Sequence, residues 1–455
     1  MNKSITQNHL NEEQVSQSIA RFFSRFRLSS ILKSANAYKC RGFPVTQIFQ
    51  FLFTLAFVNR SMYMNTITGR QSQCFGKDTV YRFMKMSHTN WIRFTTQLSA
   101  KVIHSAIEPL TSKDRKNVLI IDDSTFERNR SKKVELLAKA YDHVKRKYFL
   151  GFRMLTLGWS DGTTFLPVNS ILLSSEKAGS RINEADAMDK RTTGFKRRNL
   201  SQTKATEAMI ELIQEAKRVA IPASYILFDS WFTSPKVLHQ IKKLGYDVIA
   251  MAKKTSKMHY EYEGEKLSLP EVYRRNKKRP GRSRYLLSVM VNIVKDEDII
   301  PAKVVYVRNR NKRSDYLILV STDINIDEDE IIRLYGKRWD IECFFKVCKS
   351  YLRLSKECKS LSFDAITAHT AIVFTRYMML SLEARESTDE RSLGELFLYF
   401  SDEQADLTWV QAFQLLIKMF RELLADYVIV PDEIINDFLD VFFAKIPVPL
   451  VLALR

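Results

Sequence analysis

The chain reads as an α/β protein whose mixed sheet is interrupted by a β-rich insertion and flanked by helical regions. Three observations predict this. Short continuous apolar runs, "NVLIID", "SYILFD" and "YDVIAMAK", have the character of buried central strands. Amphipathic segments at helical spacing, "SQTKATEAMIELIQEAKRVA" and "SPKVLHQIKKLG", alternate with them. After about residue 254 the helical pattern gives way to short strands and basic turns.

Residues 1–112 are expected to be helical. "EEQVSQSIARFFSRF" and "VTQIFQFLFTLAFV" carry apolar residues at three and four spacing, and Asp78 is a candidate N-cap for the next segment. Tyr81, Arg82 and Lys85 would share an exposed face, so this region is a candidate DNA-binding region. Residues 113–253 carry the first part of the α/β core. Its hairpin "FRMLTLGWSDGTTFLPVNSILL" turns at Ser160, Asp161 and Gly162, and Gly245 closes a helix. Residues 254–326 form the insertion, with strands in "SRYLLSVMVNIV", "AKVVYVRNR" and "DYLILVST". Residues 327–360 return to helix, and 361–455 form a helical, acidic C-terminal region suited to protein contact and possible dimerisation.

The charge is uneven. The 455 residues carry a formal net charge of +20. From Ser360 onward there are seven Lys and Arg against fifteen Asp and Glu, a net −8, which leaves +28 on the rest. A basic body favours a polyanionic partner, most simply double-stranded DNA. Five cysteines without a CxxC pair, and seven scattered histidines, make no zinc set and fit a reduced, cytoplasmic protein. "MNKSITQNHLNEEQ" is no signal peptide, and the longest apolar run is too short to span a bilayer.

"YGKRWDIECFFKVCKSY", residues 335–351, mixes core aromatics with charge. On one continuous helix Tyr335, Arg338, Glu342, Lys346 and Lys349 fall within roughly 80° of arc. A solvated ion-pair face would show the same stripe. The stripe gains meaning from acids elsewhere. "VLIIDDST" ends in Asp122 and Asp123, and "YILFDSWF" ends in Asp229. Carboxylates at strand ends project into the crevice where α/β sheets bind ligands; taken singly, each would pass as a turn cap. With Glu342 they make a set of hard oxygen donors suited to Mg²⁺ or Mn²⁺.

"YGKRWDIECFFKVCK" matches Y-x2-R-x3-E-x6-K at Tyr335, Arg338, Glu342 and Lys349. With "IDDSTF" and "FDSWFTSP" ahead of it in order, the chain resembles the insertion-sequence-four family of DDE transposases over about residues 115–355. The resemblance implies an RNase H-like catalytic domain that binds transposon ends, cleaves them through hairpins and joins the 3′-hydroxyl ends to target DNA. It implies two Mg²⁺ or Mn²⁺ ions on Asp123, Asp229 and Glu342, a homodimer in a synaptic complex, and a bacterial, nucleoid-associated setting. Asp123 is favoured because small hydroxyl residues, here Ser124 and Thr125, follow the family's first acid; Asp122 is the alternative. Tyr335, Arg338 and Lys349 would grip DNA phosphates, with Lys346 on the same face. Arg128, Arg130, Arg197 and Arg198 are further candidate DNA contacts. One departure stands out: no Trp lies between Lys254 and Glu330 to stack a displaced base. An RNase H-like nuclease without strand transfer, and an inactive DNA-binding relative, are the competing readings.

Overall fold

The computed structural model describes residues 18–57, 76–143, 145–280, 283–309, 312 and 314–386. Most of the acidic C-terminal region, and Arg60, Arg70 and Cys74, lie outside the described residues.

Helices α1 (Leu28–Ser34), α2 (Val45–Thr54), α3 (Lys77–Met84) and α4 (Trp91–Val102) precede the sheet. Their apolar stripes bury Phe49, Phe53, Phe83 and Phe94. Asp78 stands in the first turn of α3, and Gly76 takes the cap position expected for it. An acid there still complements the helix dipole. Asn90 caps α4, accepting from the Arg93 amide at 3.0 Å.

Strands β1 (Val118–Glu127), β2 (Ala138–Asp142), β3 (Lys147–Ser160) and β4 (Phe165–Leu173) follow. The turn from β3 to β4 lies where the sequence predicts it. Asp161 accepts from the amides of Thr163 and Thr164 at 2.8 and 2.7 Å. Helices α5 (Thr193–Ser201) and α6 (Ala205–Arg218) lead to β5 (Tyr225–Phe228). Helix α7 (Pro235–Lys243) connects β5 to β6 (Asp247–Met251). Parallel β1, β5 and β6, with antiparallel β3 and β4 beyond β1, make the expected RNase H-like α/β core.

The insertion holds β7 (Tyr260–Tyr262), β8 (Glu265–Leu267), α8 (Leu269–Arg275), β9 (Tyr285–Lys295), β10 (Asp298–Arg308) and β11 (Tyr316–Ser321). It extends the same sheet, because β11 pairs antiparallel with β6. Helices α9 (Glu328–Gly336), α10 (Trp339–Ser350) and α11 (Phe363–Glu386) complete the described chain.

Helix α11 is buried along almost its whole length and packs on α4 and β4. A helix apolar all round belongs inside a core. It carries Arg376, fully buried, which donates to the carbonyl oxygen of Phe53 at 2.9 Å and to Glu357 at 2.7 Å. One guanidinium thus ties the N-terminal helices to the chain beyond the sheet. Among the described residues, no helix is long and apolar enough to cross a membrane.

Candidate active site

The site begins where β1 outruns β5. Val118 to Ile121 are fully buried, and Asp122 to Thr125 are only partly so. β3 accompanies β1 as far as Glu127, whereas β5 pairs only with Val118, Leu119 and Ile120. The second half of β1 is therefore open on the β5 side. The parallel register carries Asp122 level with Asp229, the residue just after β5. Asp229 turns the chain there, accepting from the Trp231 amide at 2.8 Å. Alternation sends Asp123 to the other side of β1. There it accepts from Arg153 of β3, while its own amide donates to Asp122 Oδ1 at 2.8 Å.

Residues 335–351 were expected on one continuous helix. Instead, a tightened turn separates α9 from α10 at Lys337 and Arg338. The amides of Lys337, Arg338 and Asp340 each donate three residues back, to Leu334, Tyr335 and Lys337, at 3.0 Å. The charged face survives the break. Ile341, Phe344, Phe345 and Cys348 bury the other side of α10, with Phe344 against Phe165, Phe374 and Tyr377. Phe165 reaches it across Gly158, where a Cβ would collide with the ring. That packing sets α10 over β1.

Arg338 and Lys349 consequently reach the open half of β1. Arg338 Nη1 donates to Asp122 Oδ2 at 2.7 Å and Nη2 to Glu342 Oε1 at 2.6 Å. Lys349 Nζ donates to Ser124 Oγ at 2.7 Å and Thr125 Oγ1 at 3.2 Å. Tyr335 is largely buried beside Arg338, and burial pushes its hydroxyl up to about 12. Lys346 is exposed.

Burial dominates the electrostatics. It raises the Asp122 carboxyl to about 7; Asp123 and Asp229 add to the rise, and Arg338 opposes it. Burial likewise raises Asp229, with Asp123 adding and Arg338 opposing. Asp122, Asp123 and Asp229 thus act on one another's charge in a partly dry crevice, and Arg338 ties Glu342 to Asp122. Two guanidiniums hold them here. Arg153 grips Asp123 and feels Asp229 and Asp122; Arg338 spans Asp122 and Glu342. The donor chemistry, hard carboxylate oxygens, is of the type that suits Mg²⁺ or Mn²⁺. Among the described residues, no three His, Cys, Asp or Glu side chains stand at the spacing of one ion.

Arg153 escaped the sequence reading. Its signal was a lone charge inside the apolar run "GFRMLTLGW", but only the pairing of Arg153 with Thr125 turns it toward Asp123.

Three expected DNA contacts need correction. The stretch before Ala205 is the helix α5, and it buries Arg197 and Arg198. Arg197 donates to Asp364 and to the Thr89 carbonyl, and burial pulls its guanidinium down to about 10. Arg198 donates to Glu135 at 2.9 Å and to Asp364 at 3.0 Å. Arg128 is buried over the Phe126 ring. Arg197 and Arg198 spend their donors inside the protein, and the burial of Arg128 keeps its guanidinium from a phosphate on the surface. Arg130 remains exposed.

A family model described as DDE superfamily endonuclease matches residues 60–307, more than half of the chain, and the chain belongs to that family. The match spans Asp122, Asp123 and Asp229 and stops short of Glu342. No curated protein matches the chain. Among solved structures it is similar to the piggyBac transposase synaptic complex with hairpin DNA, at 13% identity and a TM-score of 0.45, over 86% of this chain and 80% of that one.

Proposed function

We propose that this DDE superfamily endonuclease is a DNA transposase of the cut-and-paste kind, similar to the insertion-sequence-four family. It binds element ends, cleaves them through hairpin intermediates and joins the 3′-hydroxyl ends to target DNA. The observation that carries this reading is the convergence of Asp122, Asp123, Asp229 and Glu342 with Tyr335, Arg338 and Lys349. The open half of β1, the residue after β5, and α9 with α10 more than a hundred residues on supply these side chains.

Asp123, Asp229 and Glu342 are the proposed holders of a pair of Mg²⁺ or Mn²⁺ ions. Such ions activate water or a 3′-hydroxyl and stabilise the leaving oxygen. For the first acid, two lines divide. The hydroxyl pair Ser124 and Thr125 favours Asp123; the register with Asp229 and the contact with Arg338 favour Asp122. We assign the ligand to Asp123 and give Asp122 the task of orienting Arg338. Arg338 presents a two-pronged donor to phosphate, Lys349 a point charge and Tyr335 a hydroxyl. Residues 1–112 are the proposed DNA-binding region, 254–326 an insertion within the catalytic core, and 361–455 the candidate dimer contact.

The test uses labelled DNA carrying the sequences that border the gene, with Mg²⁺ or Mn²⁺. Nicked, hairpin and joined products are expected. Breaks without joining would make the protein a metal-dependent nuclease, and binding without cleavage an inactive DNA-binding relative.

A further inference from the structure

An exposed row of rings runs outward from Asp229. Trp231, whose amide donates to that carboxylate, is 50% exposed. His143 packs on it at 4.5 Å between centroids, Tyr141 on His143 at 4.9 Å, and Tyr148 on Tyr141 at 5.1 Å. Tyr141 and Tyr148 face each other across β2 and β3. Cations lie over both ends: Lys253 Nζ is 4.8 Å from the Trp231 centroid and Lys139 Nζ 4.6 Å from that of Tyr148.

The row does little for the fold. Tyr148 is 64% exposed and Tyr141 38%, so their apolar faces stay in water. Exposed aromatics flanked by lysines are what an unpaired nucleic-acid strand requires. Every base offers a π-face to stack on a ring, and each phosphate offers a charge to a lysine. A duplex keeps its base faces inside and shows only groove edges.

We propose that Trp231, His143, Tyr141 and Tyr148 form a stacking track for single-stranded DNA leading to the Asp229 end of the site, with Lys253 and Lys139 on its phosphates. The inference rests on the reading of the protein as a DNA enzyme and adds a second, single-strand site to it. The track lies on the β2–β3 hairpin and the β5 turn, outside the insertion where the missing Trp was sought.

The experiment titrates the full chain, in chelator and without divalent metal, with a fluorescent oligothymidine and with a mixed-sequence duplex, and reads anisotropy. Trp231→Ala and the double variant Tyr141→Ala/Tyr148→Ala are each expected to weaken single-strand binding about tenfold and to leave duplex binding unchanged. Tyr141→Phe/Tyr148→Phe, which keeps the rings, should restore it. Equal losses on both DNAs, or unchanged single-strand affinity, would overturn the track. Wild-type binding to duplex alone would also overturn it while sparing the DNA reading. Binding to neither DNA would overturn both.

Discussion

Arg338 donates to Asp122 at 2.7 Å, joining the helix that follows the insertion to the first strand of the core. The same guanidinium reaches Glu342 at 2.6 Å, so one cation neutralises acids from both ends of the catalytic segment. Burying a charge without a partner costs several kcal/mol by rough estimate. The arrangement therefore explains how Asp122 and Glu342 lie together in a partly buried crevice, and it makes Arg338 the group whose removal is felt most by both.

The neighbouring acids should separate by role. Asp123→Asn, Asp229→Asn and Glu342→Gln are expected to abolish cleavage and leave DNA binding largely intact, since each removes a proposed anionic metal ligand. Asp122→Asn should slow cleavage on the order of a hundredfold by misorienting Arg338. Single-turnover cleavage with gel-shift binding on the same DNA checks this. Abolished cleavage in Asp122→Asn, beside near-normal cleavage in Asp123→Asn, would transfer the ligand role to Asp122.

Arg338→Ala and Lys349→Ala should impair cleavage or hairpin formation more than they weaken DNA binding, because many other cations still hold the duplex. Arg338→Lys should not rescue: an ammonium cannot present two parallel donors to Asp122 and Glu342. The readout is the ratio of product yield to bound DNA. Wild-type yields from both alanine variants would return the stripe to an ordinary charged helix face.

Much of this architecture was legible because strands and helices print their period on the sequence. "NVLIID" gave β1, "SYILFD" gave β5, and the turn at Asp161 fell where its side chain caps two amides. Asp122, Asp123 and Asp229 stood out because each closes an apolar run, although β1 itself continues past its acids to Glu127. What could not be read was anything depending on partners far along the chain. Arg197 and Arg198 resemble any basic loop until Asp364 and Glu135 arrive from elsewhere. Arg153 becomes a site residue only through the β1–β3 register. The short β2 was missed because its five residues, "AKAYD", carry little alternation.

The buried network gives a stability prediction with no DNA component. Asp364 receives both Arg197 and Arg198, all three nearly inaccessible. Asp364→Ala leaves two buried cations short of a partner and should cost about 3–5 kcal/mol. Arg130→Ala, on an exposed side chain, should leave thermal stability unchanged. Melting temperatures of the two variants check this, and an unperturbed Asp364→Ala melt would show the network to be dispensable.

His369 supplies the pH test. It lies buried in α11, its Nε2 3.3 Å from the Arg353 carbonyl oxygen and its Nδ1 3.8 Å from Glu357. Burial lowers its pKa to about 4; Glu357 opposes that fall, and Arg376 and Arg128 reinforce it. In the unfolded chain the imidazole titrates near its ordinary value of about 6.5. Above that value it is neutral in both states, and its contribution to stability is fully present. As pH falls from 6.5 toward 4 the unfolded chain takes up a proton that the native state refuses, so stability is lost across that window. At pH 5.5 the loss from this one group is on the order of 1 kcal/mol. His369→Gln keeps a donor for the Arg353 carbonyl and has no proton to gain, so its stability should fall less between pH 7 and pH 5.5. Urea unfolding of both proteins at the two values measures the difference. Parallel slopes would mean that native His369 takes up its proton as the unfolded chain does, with Glu357 offsetting the burial.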